Sequence, residues 1–102
     1  MIIRSGTDMT ETQIKILSNA VQTYGKNHQV DIAIEEMSEL TKALLKDRRN
    51  IGAIDDVLEE LADVYIMLCQ LMMIFNIDTE MLENQIDYKI RRLQRRLEKL
   101  TE

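Results

Sequence analysis

The run Val64-Tyr65-Ile66-Met67-Leu68-Cys69-Gln70-Leu71-Met72-Met73-Ile74-Phe75, wound as a helix, is apolar around nearly its whole circumference. Its twelve residues are too few to cross a bilayer, which takes about 20. A helix apolar on every side must be covered on every side. The chain has 102 residues, its other helices are short, and a domain this small buries only part of its apolar surface. The expectation is therefore a homo-oligomer, dimer or tetramer, with helix 64–75 at its centre. A tight monomeric core is the alternative.

Working outward, every neighbouring segment also reads as helix. Thr10 and Gln13 form a capping-box pattern, and Ile14, Leu17, Val21 and Tyr24 follow at three-four spacing. Gly25 stops this first helix. A second helix starts between Asn27 and Val30 and runs to about Lys46, with Lys46, Arg48 and Arg49 suiting a C-terminus. Asn50-Ile51-Gly52 breaks the chain, and a third helix spans Ala53 to Phe75. Asp78 is a helix N-cap, opening a fourth helix striped by Leu82, Ile86, Ile90, Leu93, Leu97 and Leu100. No repeat and no strand-like alternation is visible. The predicted fold is a single all-α domain over residues 1–102, an antiparallel four-helix bundle-type module or an assembly of helical hairpins.

Composition narrows the function. Proline is absent and glycine occurs three times, as in a chain of long helices. A net charge of −5 argues against nucleic acid as a partner. The lone Cys69 excludes a disulfide within the chain and fits a reducing compartment. Met1 to Asp8 lacks the apolar centre of a signal peptide. The expectation is a cytoplasmic protein with no membrane partner.

The chemistry lies in the acids. Pairs at i, i+3 are common in a chain with 18 Asp and Glu, so spacing alone carries little. Position carries more. On a helical wheel Glu36 falls between Ile32 and Ala43 on one side and Ala33 and Leu40 on the other, inside the apolar sector, with Glu39 at its edge. Glu60 falls among Val57, Val64, Met67 and Leu71, with Asp63 at the edge. Both pairs stand about 12 residues from the turn near Asn50, or about 18 Å along each helix. In an antiparallel hairpin they face each other.

Four carboxylates on one inward spot cannot stay unneutralised. Two unit charges about 4 Å apart repel by about 4 kcal/mol at an effective dielectric near 20. Several such pairs would rival a whole domain's stability of about 5–15 kcal/mol. The groups must take up protons or cations, and all-oxygen ligands select Mg²⁺ or Mn²⁺. Pairing with Lys and Arg of neighbouring helices is the plainer alternative, but it does not explain the symmetry about the turn. Carboxylate di-iron chemistry would need Glu-x-x-His pairs, and the only histidine is His28.

Glu35-Glu36-x-x-Glu39, followed after 20 residues by Glu60-x-x-Asp63, resembles the double acidic signature of MazG-like proteins. These belong to the all-α nucleoside triphosphate pyrophosphatase superfamily, with dimeric dUTPases and phosphoribosyl-ATP pyrophosphohydrolases among its members. Ala33-Ile34-Glu35-Glu36-Met37-Ser38-Glu39-Leu40 and Leu58-Glu59-Glu60-Leu61-Ala62-Asp63-Val64 are also similar to that family's helices, and the likeness spans roughly Gln29 to Arg96.

The resemblance implies an enzyme that hydrolyses a nucleoside or deoxynucleoside triphosphate to monophosphate and pyrophosphate. It implies Mg²⁺ held by Glu36, Glu39, Glu60 and Asp63, and a metal-activated water attacking the α-phosphorus. Glu35 or Glu39 is the candidate to accept that water's proton. Lys89, Arg92 and Arg96 share one face of the fourth helix and look like the family's phosphate-contacting segment. Gln29, beside His28 at the entrance to the second helix, is the candidate contact to the base or sugar. The competing reading from another class is a non-catalytic helical interaction or regulatory protein that keeps the fold.

Overall fold

The structure, a computed structural model, describes residues 2–3 and 7–101, with side chains from 9 to 101. It is all-α with four helices: α1 (Glu11–Tyr24), α2 (Lys26–Arg48), α3 (Ile54–Ile74) and α4 (Thr79–Leu100). A two-residue antiparallel pair, β1 (Ile2–Ile3) with β2 (Thr7–Asp8), precedes them. Two residues per strand are too few to display an alternation, so this pair leaves no sequence signal. Among the described residues no helix is long and apolar enough to cross a membrane.

α1 opens on the expected capping box, Thr10 and Gln13 exchanging side-chain and backbone bonds. Gly25 ends it with φ of 95°, a conformation that favours glycine. The expected gap before the second helix is absent. Gly25 donates to Val21 O and accepts from Gln29 N–H, so one residue closes α1 and opens α2 at Lys26.

α2 and α3 make the main hairpin. Asn50 takes the left-handed conformation (φ 58°), and the Ile51 N–H returns to Lys46 O at 3.1 Å, the pattern of a Schellman close. At Gly52 a Cβ would lie 2.9 Å from Asp47 N, so only glycine fits the return. The inward seam of α2 is Gln29, Ala33, Glu36, Leu40 and Ala43, at alternating spacings of four and three. Ala33 and Ala43 are buried, and their small size lets the two helices approach closely. α3 answers with Glu60, Val64, Met67, Leu71 and Ile74 at the same spacing. α1 packs across both helices.

The all-round apolar run of α3 is thus covered on two sides within the chain. Met67, Cys69, Gln70 and Ile74 are buried. Gln70 donates to Leu17 O and accepts from Gln29 Nε2, so one polar ladder ties α1, α2 and α3 together. α4 differs. It starts on Asp78, whose carboxylate accepts the Met81 N–H at 2.8 Å, yet it contributes no buried residue.

Candidate metal centre

The hairpin brings one carboxylate of α2 and two of α3 to a common point. Glu36, Glu60 and Asp63 each present an oxygen, and these oxygens all lie within 4.8 Å of one another. All three side chains are half-buried. Glu60 Oε2 is fully buried and has no hydrogen-bond partner. A buried acceptor without a donor is costly and rare.

The electrostatics follow from the crowding. Burial holds the Glu36 carboxyl above the ordinary glutamate range; the Asp63 charge, a shared hydrogen bond with Asp63, and the charges of Glu60 and Glu39 push the same way. Glu60 is also raised, first by burial and then by the charges of Asp63, Glu39 and Glu59, against a hydrogen bond from Glu36 that lowers it. Both glutamates thus release their protons at higher pH than an ordinary glutamate does. Among the described residues, no Lys or Arg forms an ion pair with any of the three. The donor set is all-oxygen and multiply acidic, with one oxygen waiting for a partner. Those properties fit a hard divalent cation of the Mg²⁺ or Mn²⁺ kind.

Three of the four expected ligands converge, and Glu39 does not join them. It sits on the border of the α2 face, exposed, with an oxygen 3.4 Å from Lys42 Nζ. Its charge nevertheless reaches the centre and helps to raise both Glu36 and Glu60. Glu35 is exposed and lies outside the cluster.

The remaining candidates lie elsewhere. Lys89, Arg92 and Arg96 are exposed on α4. The Arg92 guanidinium stands over the Tyr88 ring, 5.9 Å from its centroid, and Arg91 pairs with Asp87. Gln29 is buried: its Nε2 donates to Gln70 Oε1 at 2.9 Å, and its Oε1 lies 2.8 Å from His28 Nδ1. Its amide is committed inside the protein, as part of the frame behind the carboxylates. Gln70 was the partner sequence reasoning missed. A single amide within the run Val64–Phe75 was the available signal, since a buried amide needs a partner.

Comparison of the chain with family models, curated proteins and solved structures finds no match.

Proposed function

We propose that this chain is a divalent-metal-dependent nucleoside triphosphate pyrophosphohydrolase, releasing monophosphate and pyrophosphate in the cytoplasm. The observation that carries the metal reading is the convergence of Glu36, Glu60 and Asp63 around a buried, unpartnered Glu60 oxygen. The choice of reaction rests on the likeness of Glu35-Glu36-x-x-Glu39 and Glu60-x-x-Asp63 to the MazG-like signature.

Glu36, Glu60 and Asp63 are the residues that would hold Mg²⁺, or Mn²⁺. A cation bound there neutralises triphosphate charge and makes a bound water more acidic. Glu39, at the rim and exposed, is the group to accept the water's proton, with Glu35 as its alternative. Lys89, Arg92 and Arg96 supply positive charge for the phosphates.

The test is a panel of nucleoside and deoxynucleoside triphosphates with Mg²⁺ or Mn²⁺, read by pyrophosphate release. Turnover that disappears in Glu36→Gln and in Glu60→Gln, with the helical CD signal intact, is the expected result. Absence of turnover on every nucleotide with either metal would overturn it. That outcome would favour the second reading, a helical interaction protein, to which the exposed apolar stripe of α4 already points.

A further inference from the structure

The seam where α2 meets α3 holds two polar layers. One is the carboxylate centre, Glu36 with Glu60 and Asp63. The other is an amide pair, in which Gln29 Nε2 donates to Gln70 Oε1 at 2.9 Å. Both amides are almost wholly buried, Gln29 at 6% exposure and Gln70 at 2%. Each polar atom of the pair has a partner. Gln70 Nε2 donates to Leu17 O at 3.1 Å, and Gln29 Oε1 lies 2.8 Å from His28 Nδ1.

The two layers share one register. Gln29 stands seven residues before Glu36 on α2, and Gln70 stands seven residues after Asp63 on α3. On antiparallel helices, residues displaced equally in opposite chain directions stay level. The alignment that bonds Gln29 to Gln70 is therefore the one that sets Glu36 opposite Asp63. Seven residues make about two turns, or about 10 Å of helix. On the other side of the carboxylates lies the turn at Asn50–Gly52. The centre thus stands between two anchors, one of backbone and one of side chains.

The apolar part of the seam does not choose this alignment. Ala33, Leu40 and Ala43 on α2 share three-four spacing with Glu36, as Val64, Met67, Leu71 and Ile74 do with Glu60. A slip of one turn sets apolar against apolar again, yet it carries Glu36 about 5 Å past the acids of α3. The carboxylates supply no clamp of their own, because like charges repel. An amide pair in an apolar seam gives up some stability and selects one register.

Building on the metal reading of the carboxylates, we propose that Gln29 and Gln70 are positioning residues. Their hydrogen bond holds α2 and α3 at the alignment in which Glu36, Glu60 and Asp63 converge, and that fixed alignment selects Mg²⁺ over Ca²⁺. Mg²⁺ demands near-ideal geometry with oxygens at about 2.0–2.1 Å, whereas Ca²⁺ accepts irregular shells at about 2.3–2.6 Å. Release of the amide pair therefore harms Mg²⁺ binding more than Ca²⁺ binding.

Titration calorimetry of the full chain, with Mg²⁺ alone and with Ca²⁺ alone, tests this. Gln29→Leu and Gln70→Leu should each weaken Mg²⁺ binding roughly 10-fold, the lower end for groups that orient metal ligands. Ca²⁺ binding should fall by less, so the ratio of the two affinities narrows. The double variant should lose no more Mg²⁺ affinity than either single one, because the two side chains act as one bond. Gln29→Asn keeps the amide but stops one methylene short of Gln70, and it supplies the same comparison should a leucine variant not fold. Val21→Ala, at a buried position of α1, should lower the urea midpoint and leave the Mg²⁺/Ca²⁺ ratio unchanged. Unaltered Mg²⁺ affinity in the glutamine variants, or equal losses for both ions, overturns the proposal and leaves the metal centre standing. Losses that add in the double variant overturn it as well. An unaltered chain that binds neither ion overturns the metal reading, and the positioning role with it.

Discussion

Two of the interhelical turns of this chain close in the same way and lead to opposite results. At Asn50 and at Asn76 an asparagine takes the left-handed conformation, and the next N–H reaches back five residues, to Lys46 O and to Met72 O. After the first turn α3 returns along α2, with Ala33 and Ala43 buried between them. After the second, no residue of α4 is fully buried among the described residues. The local chemistry of the turn stops a helix; it does not pack the next one. Packing follows from what stands across the gap. Gly52 and two alanines allow close approach in the first hairpin, whereas the stripe of α4 finds no such face among the described residues.

The strongest way to break the first hairpin is to thicken its seam. Ala33→Leu should destabilise the fold by about 3 kcal/mol, the upper end of overpacking costs. For a domain near 100 residues this lowers the melting temperature by roughly 4–8 °C per kcal/mol, and it should abolish any shift of the melt by Mg²⁺. A melting point within a degree of the unaltered chain would show that the seam is not tightly packed.

Next in size is the ladder behind the site. Gln70→Leu strands the buried Gln29 amide and Leu17 O, at about 2 kcal/mol. Urea melts of this variant should give a lower midpoint with an unchanged slope.

The turns themselves sharpen the contrast. Asn50→Ala and Asn76→Ala should each cost about 1 kcal/mol, the price of a side chain with a Cβ held left-handed, and the Gly variants should cost less. Only the Asn50 change should also weaken Mg²⁺ binding, measured by titration calorimetry. Equal losses of metal affinity from both would mean that the site senses α4.

The smallest effect is in pH. Glu36 and Glu60 keep their protons to higher pH in the folded chain than the ordinary glutamate value of 4.5. Through that window the native state binds more protons than the unfolded one, so their contribution to stability falls as pH rises. The metal-free protein should therefore lose melting temperature from this source as pH rises above 4.5, and Mg²⁺ should cancel the loss. The double variant Glu36→Gln/Glu60→Gln should show neither the slope nor the metal response.

The hairpin and its carboxylates were legible because two independent regularities coincide there. Glu36 and Glu60 fall in the middle of apolar faces, and both pairs stand at equal distance from Asn50. Glu39 was harder. A border position can turn inward to the cluster or outward to Lys42, and a wheel does not rank a distance of 3.4 Å against a water-facing rotamer. Gln29 illustrates a related point. Its polarity suggested a ligand contact, but it shares the 29-33-36-40-43 seam, and that period places it in the interior. The stripe of α4 was legible as a stripe. Periodicity marks the face that packs and does not name its partner.

Cys69 lies within the unit built by α1, α2 and α3, almost wholly buried, its thiol pushed up by burial. A thiolate has to reach water before an alkylating reagent can take it. The rate at which Cys69 is labelled is therefore a clock for the opening of that unit, with no probe added. Since α4 contributes no buried residue, its detachment by itself should barely move this clock, and the parting of the hairpin should make it run.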